Sequence, residues 1–519
     1  MKFKNLFIKI NNSKWRKLEE TTNIGLIEIR PFPNQIVSSC ILSHVLNRLK
    51  RISPVVVSNS NSNILEDKDV YNSFSINKFI SLKYIIVKNP LIVIRSLYVF
   101  IKTVTKFYKS KYDFEDFINS FKLDNVPLGS LVYDSYIRND LRFIEPKNNL
   151  SIFFKILLRA IISFYSTRHL FEKYDVKVVV VSTWFYINLG AFMSRIALSR
   201  NIPVFNVNGD LKPMLIEDID GSLRTPQNVT YKLLSELHYG EDEVKYMDRY
   251  LDERFSGNVE RFDLINSFAG KEIWDKEKVC KYFGEQVDKN KKFVFVMAHI
   301  FSDANHYDGQ LLFRDYFSWF SATLEYINTH DIEGVNWFLK KHPSAKEFLE
   351  EGLVEKLIAK YPRLKINILP DDFNTVSIFS IADSIVTARG SIAIEAACMG
   401  IPTVLAGEAY YSGFGFTIEP TSKDEYYGLL DNISTLKKLN KDEIAMAKKV
   451  LYQYTNGFLV KNNIFDRSIL APGKTVEESK NDIDNLYEKL TVNIKDNSYE
   501  DDNYYKTVEK IVERFGAVQ

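Results

Sequence analysis

The sequence predicts an α/β protein of two domains, and three observations carry that expectation. The chain has 519 residues, more than one core sustains, since cores stop growing at about 250–300 residues. Its composition, 45% hydrophobic and 26% charged, is that of an ordinary globular chain, which excludes wholesale disorder and a fibrous design. A strand–helix–strand rhythm then occurs twice. The charge balance, 68 Lys+Arg against 66 Asp+Glu for a net +2, excludes the positive field of a general nucleic-acid binder. Cys40, Cys280 and Cys398 lie far apart with no CxxC pair. Neither a disulfide framework nor a zinc site is expected, and a reducing cytoplasm fits.

In the N-terminal half, NIGLIEIR (23–30) reads as a buried strand. A helix-period segment through Ile41, Leu42, Val45 and Leu46 follows, then the strand PVVVS (54–58). VKVVVVST (176–183) is an uninterrupted β-branched run, as in a parallel strand covered on both faces. A helix and the strand IPVFNVNG come next, and Gly209-Asp210 marks the strand's carboxyl end, where open α/β sheets place ligands. From about 225 to 290 the chain turns polar and helical, which reads as the end of the first domain plus a linker. NKKFVFVMAHIFSD (290–303) opens a second α/β unit. An aromatic helix, the strands VNWFLKKHP and KINILPDD, and the helix–turn–strand AIEAACMGIPTVLAG follow. The expected division is 1–287, 288–470 and a C-terminal helical segment 471–519. Two such domains leave a cleft suited to a nucleotide-linked substrate.

Three segments of the second domain carry chemistry. FLKKHPS (338–344) ends a strand in Lys341-His342-Pro343, where Pro343 stops the strand and the imidazole can donate to a phosphate oxygen. A purely structural donor is the plain alternative. In LPDDFNTVS (369–377), Asp372 and Asn374 can contact base or ribose, or can cap the following helix. In TARGSIAIEAACMGIPTVLAG (387–407), Gly390 lets the backbone approach a ligand, and Ser391 with the following amides opens a helix where phosphate is favoured. Glu395 lies four residues on, placed to meet a ribose hydroxyl. An ordinary βα turn with a solvated Glu is the other reading.

HP followed by GSxxxEAxxxGxP and then AGEAYYSGFGFT (406–417) resembles the capsule-polysaccharide biosynthesis glycosyltransferases, which include retaining β-Kdo transferases; the likeness covers roughly 290–420. The resemblance implies a GT-B fold, two Rossmann-like domains facing across a cleft with C-terminal helices, the nucleotide held by the second. It implies a CMP-activated 2-keto acid sugar as donor and no metal cofactor. His342 and Ser391 would hold the CMP phosphate, with Lys341 and Pro343 flanking. Glu395, with Asp372 or Asn374, would hold ribose or cytosine, and the Tyr411-Ser412-Gly413 segment would close on the sugar. HIFSDANHYDGQLLFRDYFSW (299–319) is also similar to this group. There Asp303 is the candidate nucleophile for a covalent glycosyl-enzyme, with Asp308 as rival and helix capping as the bland role. His299 and His306 flank it and can orient the carboxylate or handle protons. Asp210 is the candidate base for the acceptor hydroxyl, though an Asp after Gly also reads as a turn residue. A lone phosphate can be stabilised by an imidazole, a hydroxyl and a helix start without the metal that a diphosphate often recruits, and no DxD segment stands in a metal-binding context.

No apolar stretch at the N-terminus suggests a signal peptide. From Lys78 to Lys111 eight basic residues and no acid are threaded through an apolar sequence, and 151–169 repeats the pattern. Such segments suit a surface on anionic lipid or, equally, a pair of core helices with solvated cations. The expected protein is a cytoplasmic glycosyltransferase, peripheral on the inner membrane, that adds Kdo or a related sugar to a lipid-linked or oligosaccharide acceptor of capsule or lipopolysaccharide. The alternatives are a UDP-sugar or CDP-glycerol transferase and a degenerate scaffold subunit.

Overall fold

Two parallel sheets organise the chain. The computed structural model describes residues 2–139, 150–216, 218–219, 222–223, 229–255, 271–307, 309–465 and 476–515. They form two units, Met1–Pro226 with Phe458–Gln519, and Gln227–Gly457.

The first unit is built on β1 (Asn23–Glu28), β2 (Ser53–Ser58), β3 (Phe79–Ser81), β4 (Asp175–Val181), β5 (Val204–Asn208) and β6 (Leu211–Leu215). Their spatial order is β3-β2-β1-β4-β5-β6. Pairing is parallel except between β5 and β6, which form a hairpin. The β-branched run of β4 is buried from Val178 to Val181, as a strand covered on both faces must be. Helix Pro33–Lys50 covers the sheet with Ile36, Val37, Cys40, Ile41 and Val45 wholly buried. It begins with Pro in its first turn and ends on Arg51 in the left-handed region, φ 53°.

The C-terminal helices complete this same unit, where a separate segment from 471 was expected. Helix Val476–Lys495 packs on helix Lys2–Asn11, and helix Asn503–Arg514 packs on Pro33–Lys50. The Phe7 and Tyr487 rings stand 5.4 Å apart, and Trp15 meets Tyr499 at 4.7 Å. The acidic, Tyr/Asn-rich composition concealed an apolar stripe: Tyr504, Val508 and Val512 recur at i, i+4 and i+8 and are all buried.

The second unit has β7 (Lys292–Met297), β8 (Val335–Lys340), β9 (Ile366–Ile368), β10 (Ser384–Thr387) and β11 (Thr403–Leu405). They run in the order β9-β8-β7-β10-β11, all parallel. Both sheets therefore share the 3-2-1-4-5 order of nucleotide-binding α/β folds, the two Rossmann-like halves that the GT-B expectation requires. The unit begins at Gln227, about sixty residues before the expected boundary at 287/288. Helix Glu241–Phe255 looks polar because its solvent face is acidic. Its buried Met247 and Leu251 join Ala393, Ala397, Leu405 and Val450 in one core cluster.

Since residues at opposite ends of the sequence share the first core, truncating one end removes support from the other. Phe7→Ala is expected to cost about 3–5 kcal/mol in urea unfolding, whereas Lys9→Ala on the same helix stays within about 0.5 kcal/mol. Equal midpoints for the two variants would contradict this packing.

Candidate active site

In a sheet of 3-2-1-4-5 order, ligands bind outside the carboxyl ends of the strands where the chain reverses direction across the sheet. In the second unit that point lies between β7 and β10. Three loops start beside it: one from Ala298 after β7, one from Lys341 after β8, and one from Ala388 after β10. The Ala298 N–H donates to the Lys340 carbonyl at 3.0 Å, which carries the β7–β8 ladder one step beyond the sheet and brings His299 and Lys341 out side by side.

His299 is half-buried and stacks on Tyr316 with centroids 4.4 Å apart. Its Nε2 accepts the Arg389 backbone N–H at 3.2 Å and lies 3.2 Å from Thr387 Oγ1, which leaves the ring proton on Nδ1. Burial, with lesser repulsion from His342 and Arg389, pushes its pKa down to about 3. Gly390 is needed because of close approach: a Cβ there would stand 3.1 Å from Thr387 Oγ1 and 3.5 Å from His299 Nε2. Ser391, exposed, precedes helix Ile392–Cys398, and its side chain makes no capping bond.

His342 follows β8. Its Nδ1 accepts the Ser344 N–H at 3.2 Å, so the proton resides on Nε2, the tautomer that can donate to a ligand oxygen. Burial lowers its pKa to about 4. His342 is therefore a neutral imidazole at pH 7, and an arriving anion would favour its protonation.

Arg389 is the residue that the motif reading passed over. It is 5% exposed, and its Nη2 donates to the carbonyls of Gly309 at 3.2 Å and Gln310 at 3.4 Å. Its guanidinium lies 5.8 Å from the Tyr316 ring centroid. Nε and Nη1 make no hydrogen bond, and no carboxylate among the described residues pairs with it. A buried cation left so is costly unless an anion joins it. The only signal in the sequence was its position between a strand end and Gly390.

Asp303 is exposed on the β7 loop. That loop is fixed by buried Glu350, which accepts the N–H groups of Phe301 at 2.8 Å and Ser302 at 2.9 Å and the Ser302 hydroxyl at 2.7 Å. Asn305 fixes its other end, donating to the Phe301 carbonyl at 2.8 Å and accepting the Tyr316 N–H at 2.6 Å. His306 is half-exposed on the same loop, and Asp308 lies outside the described residues. Glu350 was unreadable in advance because it sits in an ordinary charge run, KEFLEE.

Several expected ligands are engaged elsewhere. The Glu395 carboxylate, expected at a ribose, is 5% exposed and paired with Arg254 from helix Glu241–Phe255. Removing one partner of such a buried pair costs about 3–5 kcal/mol, which explains a Glu inside a small-residue helix. Tyr411, expected on the sugar, is wholly buried and supports the site from beneath, its hydroxyl donating to the Gly390 carbonyl at 2.6 Å. Ser412 Oγ accepts the Ala409 N–H at 2.9 Å. Asn374 is buried: its amide donates to the Lys271 carbonyl at 3.2 Å and its oxygen accepts the Val376 N–H at 3.0 Å, an Asx turn ahead of helix Val376–Ile381, whose N-cap is Thr375. Asp372 is exposed, and its carbonyl accepts the Glu272 N–H at 3.2 Å. Lys341, with Pro343 two residues on and half-buried, reaches 2.8 Å to both Glu355 and Asp371. Lys340, buried at the end of β8, donates to the Phe373 carbonyl at 2.9 Å, and burial lowers its pKa to about 7.

Asp210 belongs to the first unit. It occupies the tight turn between β5 and β6 after Gly209, φ 59°, and its carbonyl accepts the Val460 N–H at 3.1 Å. The switch point of that unit, between β1 and β4, instead holds Glu28, which accepts the N–H groups of Ser182 at 3.1 Å and Gly190 at 3.3 Å. Burial raises its pKa, opposed by Arg30. Among the described residues no three His, Cys, Asp or Glu side chains gather as a metal site needs.

Residues 234–453 match the family model described as capsule polysaccharide biosynthesis protein. The matched segment contains β7 to β11 and the loops from Ala298, Lys341 and Ala388. No curated protein matches the chain. Solved structures similar to it include the Thermosulfurimonas dismutans KpsC beta Kdo 2,4 transferase, at 13% identity and TM-score 0.32, covering 53% of this chain and 79% of that one. The beta Kdo 2,7 transferase of the same KpsC gives 13% and 0.31 over 63% and 95%. A glycosyltransferase from Rickettsia africae gives 12% and 0.28 over 84% and 95%. At such scores the superpositions carry no weight, and the fold rests on strand order and pairing.

Three imidazoles with pKa values lowered by desolvation give this protein a definite acid response. His44, in the first unit, is held at about 4 by burial, as His342 is, and His299 at about 3. Between these values and the ordinary 6.5 the unfolded chain binds protons that the folded chain does not, so stability rises with pH there. Urea unfolding free energy is therefore expected to fall as pH drops from 6.5 towards 4, with a shallower slope in His342→Gln. A flat profile across that window would contradict the burial of these rings.

Proposed function

We propose that the chain is a glycosyltransferase that binds the phosphate of a CMP-activated 2-keto acid sugar, Kdo or a relative, at the β7–β10 switch point and transfers the sugar to a capsule or lipopolysaccharide glycan. One observation carries the reading. His342, with its Nε2–H, lies on the loop after β8, and Ser391, with a hydroxyl that makes no capping bond, lies on the loop after β10 beside Arg389, a cation with no carboxylate partner among the described residues. Both loops leave the point where a nucleotide-binding sheet of this order receives its ligand. Such donors suit a leaving group with a single phosphate, whose charge grows as the glycosidic C–O bond breaks.

In the proposed sequence an Asp303 carboxylate oxygen attacks the anomeric carbon, and CMP departs with the bonding electron pair. His342 becomes more basic as that charge develops, and its Nε2–H stabilises the departing phosphate. The acceptor hydroxyl then displaces Asp303 from the sugar, its proton passing to His306 on the same loop, and the carboxylate is restored. Two inversions give retention. The clamp on Phe301 and Ser302 by Glu350 supports Asp303 as nucleophile, since an attacking group must be held in place before it acts.

Calorimetry with CMP and intact-protein mass spectrometry with CMP-Kdo, acceptor withheld, test the proposal. Wild type is expected to bind CMP, with affinity weakened about tenfold or more in His342→Ala, and to gain a sugar-sized adduct that is absent from Asp303→Asn. Unchanged CMP affinity in His342→Ala would remove the phosphate site from this position. An adduct persisting in Asp303→Asn would place the nucleophile elsewhere. Turnover of CDP-glycerol, with CMP-Kdo inert, would mark a glycerophosphotransferase instead.

A further inference from the structure

The two basic, apolar segments of the first unit have different fates. The second lies in helix Leu150–Lys173, which is long and apolar enough to cross a membrane by length and composition, yet half of its apolar window is buried within the unit. Phe153, Leu157, Ala160 and Phe164 are wholly or almost wholly enclosed, against helices Pro90–Lys109, Gly129–Asn139 and Leu189–Leu198 among others. It is a core helix.

The first segment forms helices Leu82–Lys88 and Pro90–Lys109, bent by 93° at Asn89-Pro90. Only Ser96 and Phe107 of the longer helix are buried. Its inner face rests on Leu150–Lys173 through Phe100 against Phe154 and Phe107 against Phe153. Its outer face is apolar and uncovered: Leu91 is 75% exposed, Ile94 62%, Tyr98 67%, Ile101 63% and Tyr108 66%. At about 100° per residue these side chains fall within one arc of about 100°. Arg95, Lys102, Lys106 and Lys109 fall along one edge of that arc, within about 60° of each other by the same rotation.

The cations are largely unneutralised. Lys78 pairs with Glu20 at 3.2 Å and Arg95 with Asp124 at 3.3 Å. Lys83, Lys88, Lys102, Lys106, Lys109 and Lys111 make no ion pair among the described residues. An exposed apolar strip would suit many partners. A strip flanked on one side by a row of ammonium groups, with no acid between Lys78 and Lys111, suits a hydrocarbon surface capped by negative headgroups.

We infer that helix Pro90–Lys109, with Leu82–Lys88, is a docking surface for an anionic phospholipid bilayer. The longer helix lies in the plane of the interface, with Leu91, Ile94, Tyr98 and Ile101 among the acyl chains and the lysines at headgroup level. The inference does not rest on the donor or on the reaction, and its test uses no substrate.

The full chain is sedimented with vesicles of phosphatidylethanolamine and phosphatidylglycerol, and separately with phosphatidylcholine vesicles. Wild type is expected to partition at least about tenfold better onto the phosphatidylglycerol vesicles, with the preference shrinking as salt is raised. Ile94→Ser/Tyr98→Ser/Ile101→Ser is expected to lose about tenfold or more of the binding. Lys102→Glu/Lys106→Glu/Lys109→Glu is expected to lose the anionic preference. Both variants should keep the wild-type circular dichroism and urea midpoint, because the outer face supports no core. The inference is overturned if wild type stays in the supernatant with phosphatidylglycerol vesicles, or if the serine variant sediments like wild type. It is equally overturned if analytical ultracentrifugation shows a dimer that the serine variant breaks, since the occupant would then be a second copy of the chain.

Discussion

Strand order is the constraint from which the rest follows. Where β7 lies between β8, which succeeds it in sequence, and β10, which returns on its other side, the loops leaving the two neighbours diverge and a crevice opens at their carboxyl ends. Every group in the candidate site owes its place to that divergence. His299 enters from β7, His342 from β8, and Arg389 with Gly390 and Ser391 from β10. The strands are short and buried, so their registers are pinned on both faces. Each loop consequently starts from a fixed point, which is what a site with few residues requires.

The electrostatics of the crevice are those of a site awaiting an anion. Its two imidazoles are held neutral by burial, and their tautomers are set by neighbouring backbone N–H groups. The buried Arg389 guanidinium is hydrogen-bonded to carbonyl oxygens through Nη2 only. Neutral donors and a partly satisfied cation cost less to bury than several full charges would, yet all of them gain when a phosphate arrives. The loop carrying Asp303 is organised differently, being clamped at its base by Glu350 and Asn305 so that an exposed carboxylate stands on a rigid support.

Much of this was legible in the sequence. A β-branched run gave β4, Pro343 and Gly390 marked loop starts, and the HP and GS segments fall on the two loops that flank the switch point. Other features were hidden for identifiable reasons. Met247 and Leu251 are two apolar residues in an acidic helix, so the second unit seemed to begin at 288 when it begins at Gln227. The Tyr504, Val508 and Val512 stripe is masked by a tail rich in Asp and Asn, and its partner helices lie more than four hundred residues away. Glu395 and Tyr411 sit within the right motif, but motif spacing says nothing about which face of an element is buried. Arg254 and Gly390, which engage them, are contacts that only tertiary packing creates. Arg389 and Glu350 had no local pattern at all, because their value comes from what surrounds them.

The central claim, that the second unit's crevice receives a nucleotide phosphate beside His342, is tested most directly by nitrogen-detected NMR of the imidazoles at pH 7 with and without CMP. The account predicts that His342 is neutral and protonated on Nε2 in the empty protein and moves towards the doubly protonated form when CMP is added. His44, in the other unit, should serve as an unmoved reference. No change at His342 on saturation with CMP, or an equal change at His44, would contradict it.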